Sequence, residues 1–209
     1  MERSYMGRED EKIGMLSHFL DKYFPSSDTT TKRETMLIDH KDLEPLLERG
    51  FIMDEILQAI VKRGFVLHGS SFNIEELEPR TAVGQGEDHE RLTAIYCTDF
   101  APTALFNATT PKASMEEPFH TCWDVQGTDV EHIDVIKFKA SKNALANFSD
   151  GFIYVLSREH VKPTPSASEF VSEENYPPIA KIQIKRQDFV YDIEECDASK
   201  HNEDGSYKK

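Results

Sequence analysis

Apolar residues recur at helical spacing near the start of the chain. Met15, Phe19, Leu20, Tyr23 and Phe24 fall on one side of a helix within IGMLSHFLDKYF, and Pro25 with the serines after it breaks the pattern. Residues 26–33 are polar and rich in Ser and Thr, as a linker is, and a helical stretch then opens near Asp42 and ends at Gly50. A further helix runs from about Asp54. Its apolar face is Ile56, Leu57, Ile60 and Val61, and Lys62-Arg63-Gly64 is its stop signal.

Beyond Phe65 the pattern becomes that of strands. Residues 65–69, 92–98, 132–140, 151–157 and 180–193 are rich in β-branched and aromatic side chains, which predicts strands in these places. Between the second and third, DFAPTALFNAT offers a cap at Asp99 and a proline in the first turn, so a short helix is expected there. Helices gathered at the front and strands after them argue for an α+β fold, with N-terminal helices followed by a mainly antiparallel β-rich core. The expected divisions are an N-terminal helical segment over 1–64, a core over 65–196, and a polar, disordered tail over 197–209. The loop over residues 81–91, TAVGQGEDHER, lies between the first two core strands, where a loop can gate a site.

Composition narrows the classes. A net charge of -14 repels a phosphate backbone, which argues against nucleic acid as a partner but leaves a local pocket free to take a nucleotide or another small molecule. Cys97, Cys122 and Cys196 are too few and too scattered for a disulfide framework, and no stretch approaches the ~20 apolar residues of a membrane span. The expectation is a cytoplasmic protein that does not enter a membrane. His120 and Cys122 could supply two metal ligands where a structural zinc site needs four, so no metal is expected. Cys97 lies inside an apolar strand, where a thiol is inert.

The pointed chemistry lies at the end of the first core strand. His68-Gly69-Ser70-Ser71 puts an imidazole and two hydroxyls beside a glycine that permits close backbone approach. The same residues also suit a strand-ending histidine next to an ordinary turn. Arg80, at the end of NIEELEPR, can pair with an anion, and the strand Ile95-Tyr96-Cys97-Thr98 follows.

A strand ending in His-Gly, a charged loop, and a strand carrying Tyr-x-Thr before a short helix resemble the start of the ADP-ribosyltransferase superfamily, poly(ADP-ribose) polymerase branch. The resemblance covers about residues 65–108. It implies a split-sheet core and NAD as cofactor. By resemblance, His68 takes the role that contacts the NAD ribose and Tyr96 the role that stacks on nicotinamide. Gly69, Ser70, Arg80 and Thr98 line the same cleft, so that His68 and Tyr96 face a common pocket. The family expects a glutamate at the start of a later strand. Here Phe152 to Leu156 is preceded by Asp150 and Gly151, with Asp150 one residue out of place, while Glu159, Glu194 and Glu195 lie near other strand ends. HGSS, LEPR, IYVL and the stretch from Glu169 also resemble a family of small bacterial proteins, a likeness that implies a fold unit and no reaction. The chain is thus expected to bind NAD or a related nucleotide, and if it is an enzyme, to transfer ADP-ribose. The alternative is a non-catalytic nucleotide-binding or protein-interaction module with a possible protein partner.

Overall fold

The structure is a computed structural model that describes residues 3–25, 34–81, 92–110, 121–127, 133–166 and 168–196. The chain opens with helix α1 (Arg3–Tyr23), strand β1 (Met36–Ile38), and helices α2 (His40–Glu48) and α3 (Met53–Val61). The two shorter helices stop where the sequence demands. Gly50 follows α2 at φ 80° and Gly64 follows α3 at φ 91°, left-handed conformations that favour glycine.

The β-rich part follows as β2 (Phe65–Ser70), β3 (Arg80–Thr81), β4 (Thr93–Thr98), α4 (Ala101–Thr109), β5 (Thr121–Gly127), β6 (Ile133–Ser141), α5 (Lys142–Ala146), β7 (Gly151–Ser157), β8 (Lys162–Pro163), β9 (Glu169–Ser172), β10 (Ala180–Ile184) and β11 (Ile193–Cys196). Eight strands form one sheet in the order β1-β10-β7-β2-β4-β9-β8, with β3 paired to β4. The pairings in it are antiparallel except that of β1 with β10. A second sheet, β11-β6-β5, has three strands. The fold is therefore α+β with a mainly antiparallel mixed sheet.

One face of the large sheet carries the helices. Phe19, Phe24, Leu43, Ile56, Ile60, Leu67, Ala104, Ile153 and Ile182 belong to one buried cluster, so side chains on both sides of residue 64 share a core. Helix α4 is the central piece, with eight of its nine residues buried. Ala104 and Ala108 lie on the sheet at Gly69 and Gly151, where no other residue would allow so close an approach. Phe106 meets the second sheet through Phe138, Phe148 and Phe189.

Two elements depart from expectation for identifiable reasons. The run expected as one strand over 180–193 breaks after Ile184. There the Asp188 carboxylate accepts a hydrogen bond from the Lys185 amide at 2.7 Å and fixes a 3-10 turn, and the chain leaves the large sheet to enter the second one as β11. Asp99 does not cap α4. The Thr98 hydroxyl accepts from the Phe100 amide at 3.0 Å, and the buried Asp99 carboxylate pairs with Arg158 at 3.0 Å. Strands β1, β8 and β9 are short and were not legible in the sequence. The 197–209 tail and most of the 81–91 loop lie outside the described residues. No described helix is long and apolar enough to cross a membrane.

Candidate functional site

Strands β2 and β4 are neighbours held at a single residue pair, Leu67 with Thr98, whereas β2 pairs with β7 over six consecutive residues. Between these strands, His68 Nδ1 lies 2.7 Å from the carbonyl oxygen of Tyr96. A carbonyl oxygen only accepts, so Nδ1 carries the hydrogen, and Nε2 of the neutral ring is an acceptor. The side chain does here what a ladder hydrogen bond does elsewhere in the sheet, and the imidazole is half-buried.

Strand alternation sets the surroundings of His68. Its cross-strand partner is Tyr154 of β7, with ring centroids 6.0 Å apart, and Tyr154 is in turn opposite Lys181 of β10. Three adjacent strands thus carry His68, Tyr154 and Lys181 abreast on the sheet face away from α4. Tyr154 is fully buried, and its hydroxyl is spent on the backbone. It donates to the Phe72 carbonyl at 2.9 Å and accepts from the Ile74 amide at 2.5 Å. Burial raises its pKa, against the Ile74 hydrogen bond, so it remains the neutral phenol. The segment after β2 is thereby tied over the row.

Lys181 extends along the same face. Its ammonium lies 4.7 Å from the Phe152 ring centroid and 5.7 Å from that of Tyr154, bonds to Asn73 Oδ1, and reaches the Ile74 carbonyl at 3.5 Å. Partial burial lowers its pKa, with Glu75 pulling the other way.

The structure brings some of the expected site residues together and separates others. His68 and Gly69 are adjacent, but Gly69 turns its open side to the Ala104 carbonyl of α4. Ser70 is fully buried, and its hydroxyl accepts from the Phe72 amide at 3.2 Å. Thr98 is engaged at the start of α4, and Arg80 is exposed on β3. Tyr96 does not share a pocket with His68. It alternates with Ile95 and Cys97, which pack with Tyr154, so its side chain leaves on the opposite face and its hydroxyl bonds to the Leu92 carbonyl at 3.2 Å. What Tyr96 offers His68 is its backbone oxygen.

The acids expected near later strand ends are also placed. Asp150 accepts from the Arg186 amide at 2.9 Å and from Lys185 Nζ at 3.0 Å, and those bonds, the former first, hold its pKa below the ordinary carboxylate value. It precedes β7 by four residues from Tyr154, roughly 13 Å along the strand at ~3.3 Å per residue. Gly151 itself can carry no side chain, because a Cβ there would stand 1.8 Å from the Ala108 carbonyl oxygen. Glu159 is exposed in the turn after β7, and Glu194 and Glu195 belong to β11 in the other sheet.

Tyr154, Phe152 and Lys181 were not singled out in the sequence. The only available signal was their alternation within GFIYVLS and AKIQI, which becomes meaningful once the strands are known to be neighbours.

Cys97 is buried in the same sheet face, and burial pushes its thiol up to about 12. In native buffer near neutral pH, Cys97 is expected to resist iodoacetamide for hours and to react within minutes in denaturant. Alkylation followed by peptide mass spectrometry checks this, and native-state labelling of Cys97 would show that this face opens.

Among the described residues, no group of three or more His, Cys, Asp or Glu side chains comes together as a metal site would require. Comparison with protein-family models, with curated proteins and with solved structures found no match for this chain.

Proposed function

We propose that the chain is an ADP-ribosyltransferase-like domain that binds NAD or a related nucleotide where β2 and β4 meet, and that it holds the nucleotide without transferring ADP-ribose. The observation that carries this reading is His68, held between β2 and β4. A His-Gly strand end next to β4, with the imidazole held by the Tyr96 carbonyl, supports the reading because it supplies an oriented polar group between two strands.

The carboxylate bears on catalysis. Displacing nicotinamide requires a negative group beside the developing positive ribose. The position that resembles the family's glutamate is Gly151, closed by Ala108, and the acid next to it is bound to Lys185 and Arg186. This favours the binding module over the transferase.

Calorimetric titration of NAD tests the reading. The wild-type chain is expected to bind, and His68→Ala to bind about two- to tenfold more weakly, the loss of one ligand hydrogen bond. A thermal melt of the same variant separates a binding defect from a folding defect. Absence of heat with millimolar NAD would overturn the proposal. Nicotinamide released on incubation with NAD would overturn its non-catalytic half and leave the binding half standing.

A further inference from the structure

His40 opens helix α2, and its ring meets the 3-10 turn where the chain leaves the large sheet. Nε2 lies 3.2 Å from Oδ1 of Asp188. A carboxylate only accepts, so Nε2 carries the hydrogen. The other carboxylate oxygen accepts from the Lys185 amide at 2.7 Å, so the backbone fixes Asp188 on one side while it holds the imidazole on the other. Both side chains are mostly buried, with 17% of His40 and 7% of Asp188 exposed.

The second ring nitrogen is left over. Among the described residues, Nδ1 of His40 has no hydrogen-bond partner. The buried side-chain nitrogen and oxygen atoms that lack a partner there come down to Oδ1 of Asp99, so Nδ1 of His40 is not buried and solvent reaches it. A buried carboxylate on Nε2–H fixes the tautomer and stabilises the imidazolium that forms when the bare nitrogen takes a proton. The pair is therefore arranged as a base. Helix α2 packs on the helix-bearing side of the large sheet, so this is a different place from the His68 row.

Local charge narrows what such a base acts on. The carboxylates of Asp39, Asp42, Asp150 and Asp188 are set against the cations Lys41, Lys185 and Arg186, with Lys41 paired to Asp39 and Lys185 to Asp150. No excess of positive charge gathers an anion here, and the net charge of -14 works against one, so the substrate is neutral.

We propose that Asp188 and His40 form a catalytic dyad that hydrolyses a neutral carboxylic ester, with His40 as general base and Asp188 as the residue that positions it. Water gives a proton to Nδ1 as its oxygen bonds to the acyl carbon. The bond from that carbon to the alcohol oxygen breaks, and the proton on Nδ1 passes to the leaving oxygen. The products are an acid and an alcohol, and the ring returns to its starting state.

The probe is p-nitrophenyl acetate with the full chain, followed over several turnovers so that one-time acylation of lysines does not count. Wild type is expected to exceed an equal concentration of free imidazole by at least about tenfold, less than a positioned base commonly contributes. His40→Gln and Asp188→Asn should each lose about tenfold or more. His160→Ala removes an exposed histidine that stands on Tyr176 and should change nothing. Nitrogen NMR of the neutral ring reads the positioning role directly: the hydrogen should sit on Nε2 in wild type and be shared between the two nitrogens in Asp188→Asn. A wild-type rate no higher than that of imidazole overturns the proposal without recourse to any variant. So does an unchanged rate in His40→Gln shown by its melt to be folded, or a wild-type ring with its hydrogen on Nδ1.

Discussion

Gly151→Ala is expected to destabilise the protein by at least about 3 kcal/mol, the upper range for overpacking a closed core, and more if the backbone cannot shift. The added methyl group would sit 1.8 Å from the Ala108 carbonyl oxygen and 2.9 Å from that of Ser70, and these backbone atoms belong to a buried helix and a paired strand. No rotamer relieves a clash at Cβ, so α4 would have to lift from the sheet at the point where Ala104 also rests on Gly69. For a chain of this size the melting temperature should fall by roughly 6–12 °C, at about 2–4 °C per kcal/mol. Differential scanning fluorimetry and urea titration check it. A melt within a degree or two of wild type would show that α4 can withdraw at little cost. Gly151→Glu would then be a feasible way to restore the missing acid, and the closed glycine would no longer favour a non-catalytic domain.

The same helix shows what could and could not be read in advance. Local patterns marked α4, β2, β4 and β7 because each is a continuous run with caps or turn residues at its ends, and such signals need no partner. Gly50 and Gly64 were legible as helix stops for the same reason. Pairing is different. That Gly69 and Gly151 lie under one helix, or that His68 stands opposite Tyr154 and Tyr154 opposite Lys181, depends on register between segments more than 80 residues and about 30 residues apart. Nothing local encodes that.

The expected pairing of His68 with Tyr96 failed at this level. Both lie on strands that do meet, but the one pair that joins them, Leu67 with Thr98, puts the two side chains on opposite faces. A shift of one residue would have reversed the result, since side chains alternate with a period of two. The break in the 180–193 run had a similar origin. The apolar positions slip by one from Ala180, Ile182 and Ile184 to Phe189, Tyr191 and Ile193, and while Phe189 touches both clusters, Tyr191 and Ile193 pack on the one with Phe106 and Phe138.

That second cluster carries the other large effect. Phe106→Ala should cost about 3–5 kcal/mol, the range for removing a buried aromatic ring. Phe106 is fully buried, and its ring lies 4.8 Å from that of Phe138, 5.6 Å from Phe189 and 5.8 Å from Phe148. It is thus the side chain through which α4 grips the three-stranded sheet. Phe106→Leu retains most of the volume but not the ring contacts, and should cost less, about 1–2 kcal/mol. Chemical denaturation of both variants checks the order. The His68 row lies on the opposite face of the large sheet from α4, so both variants, while still folded, should keep wild-type affinity for NAD. A loss of affinity at a denaturant-free temperature well below the melt would mean that the helix and the row are coupled through Gly69 and Gly151, the two positions where α4 touches the strands that carry the site.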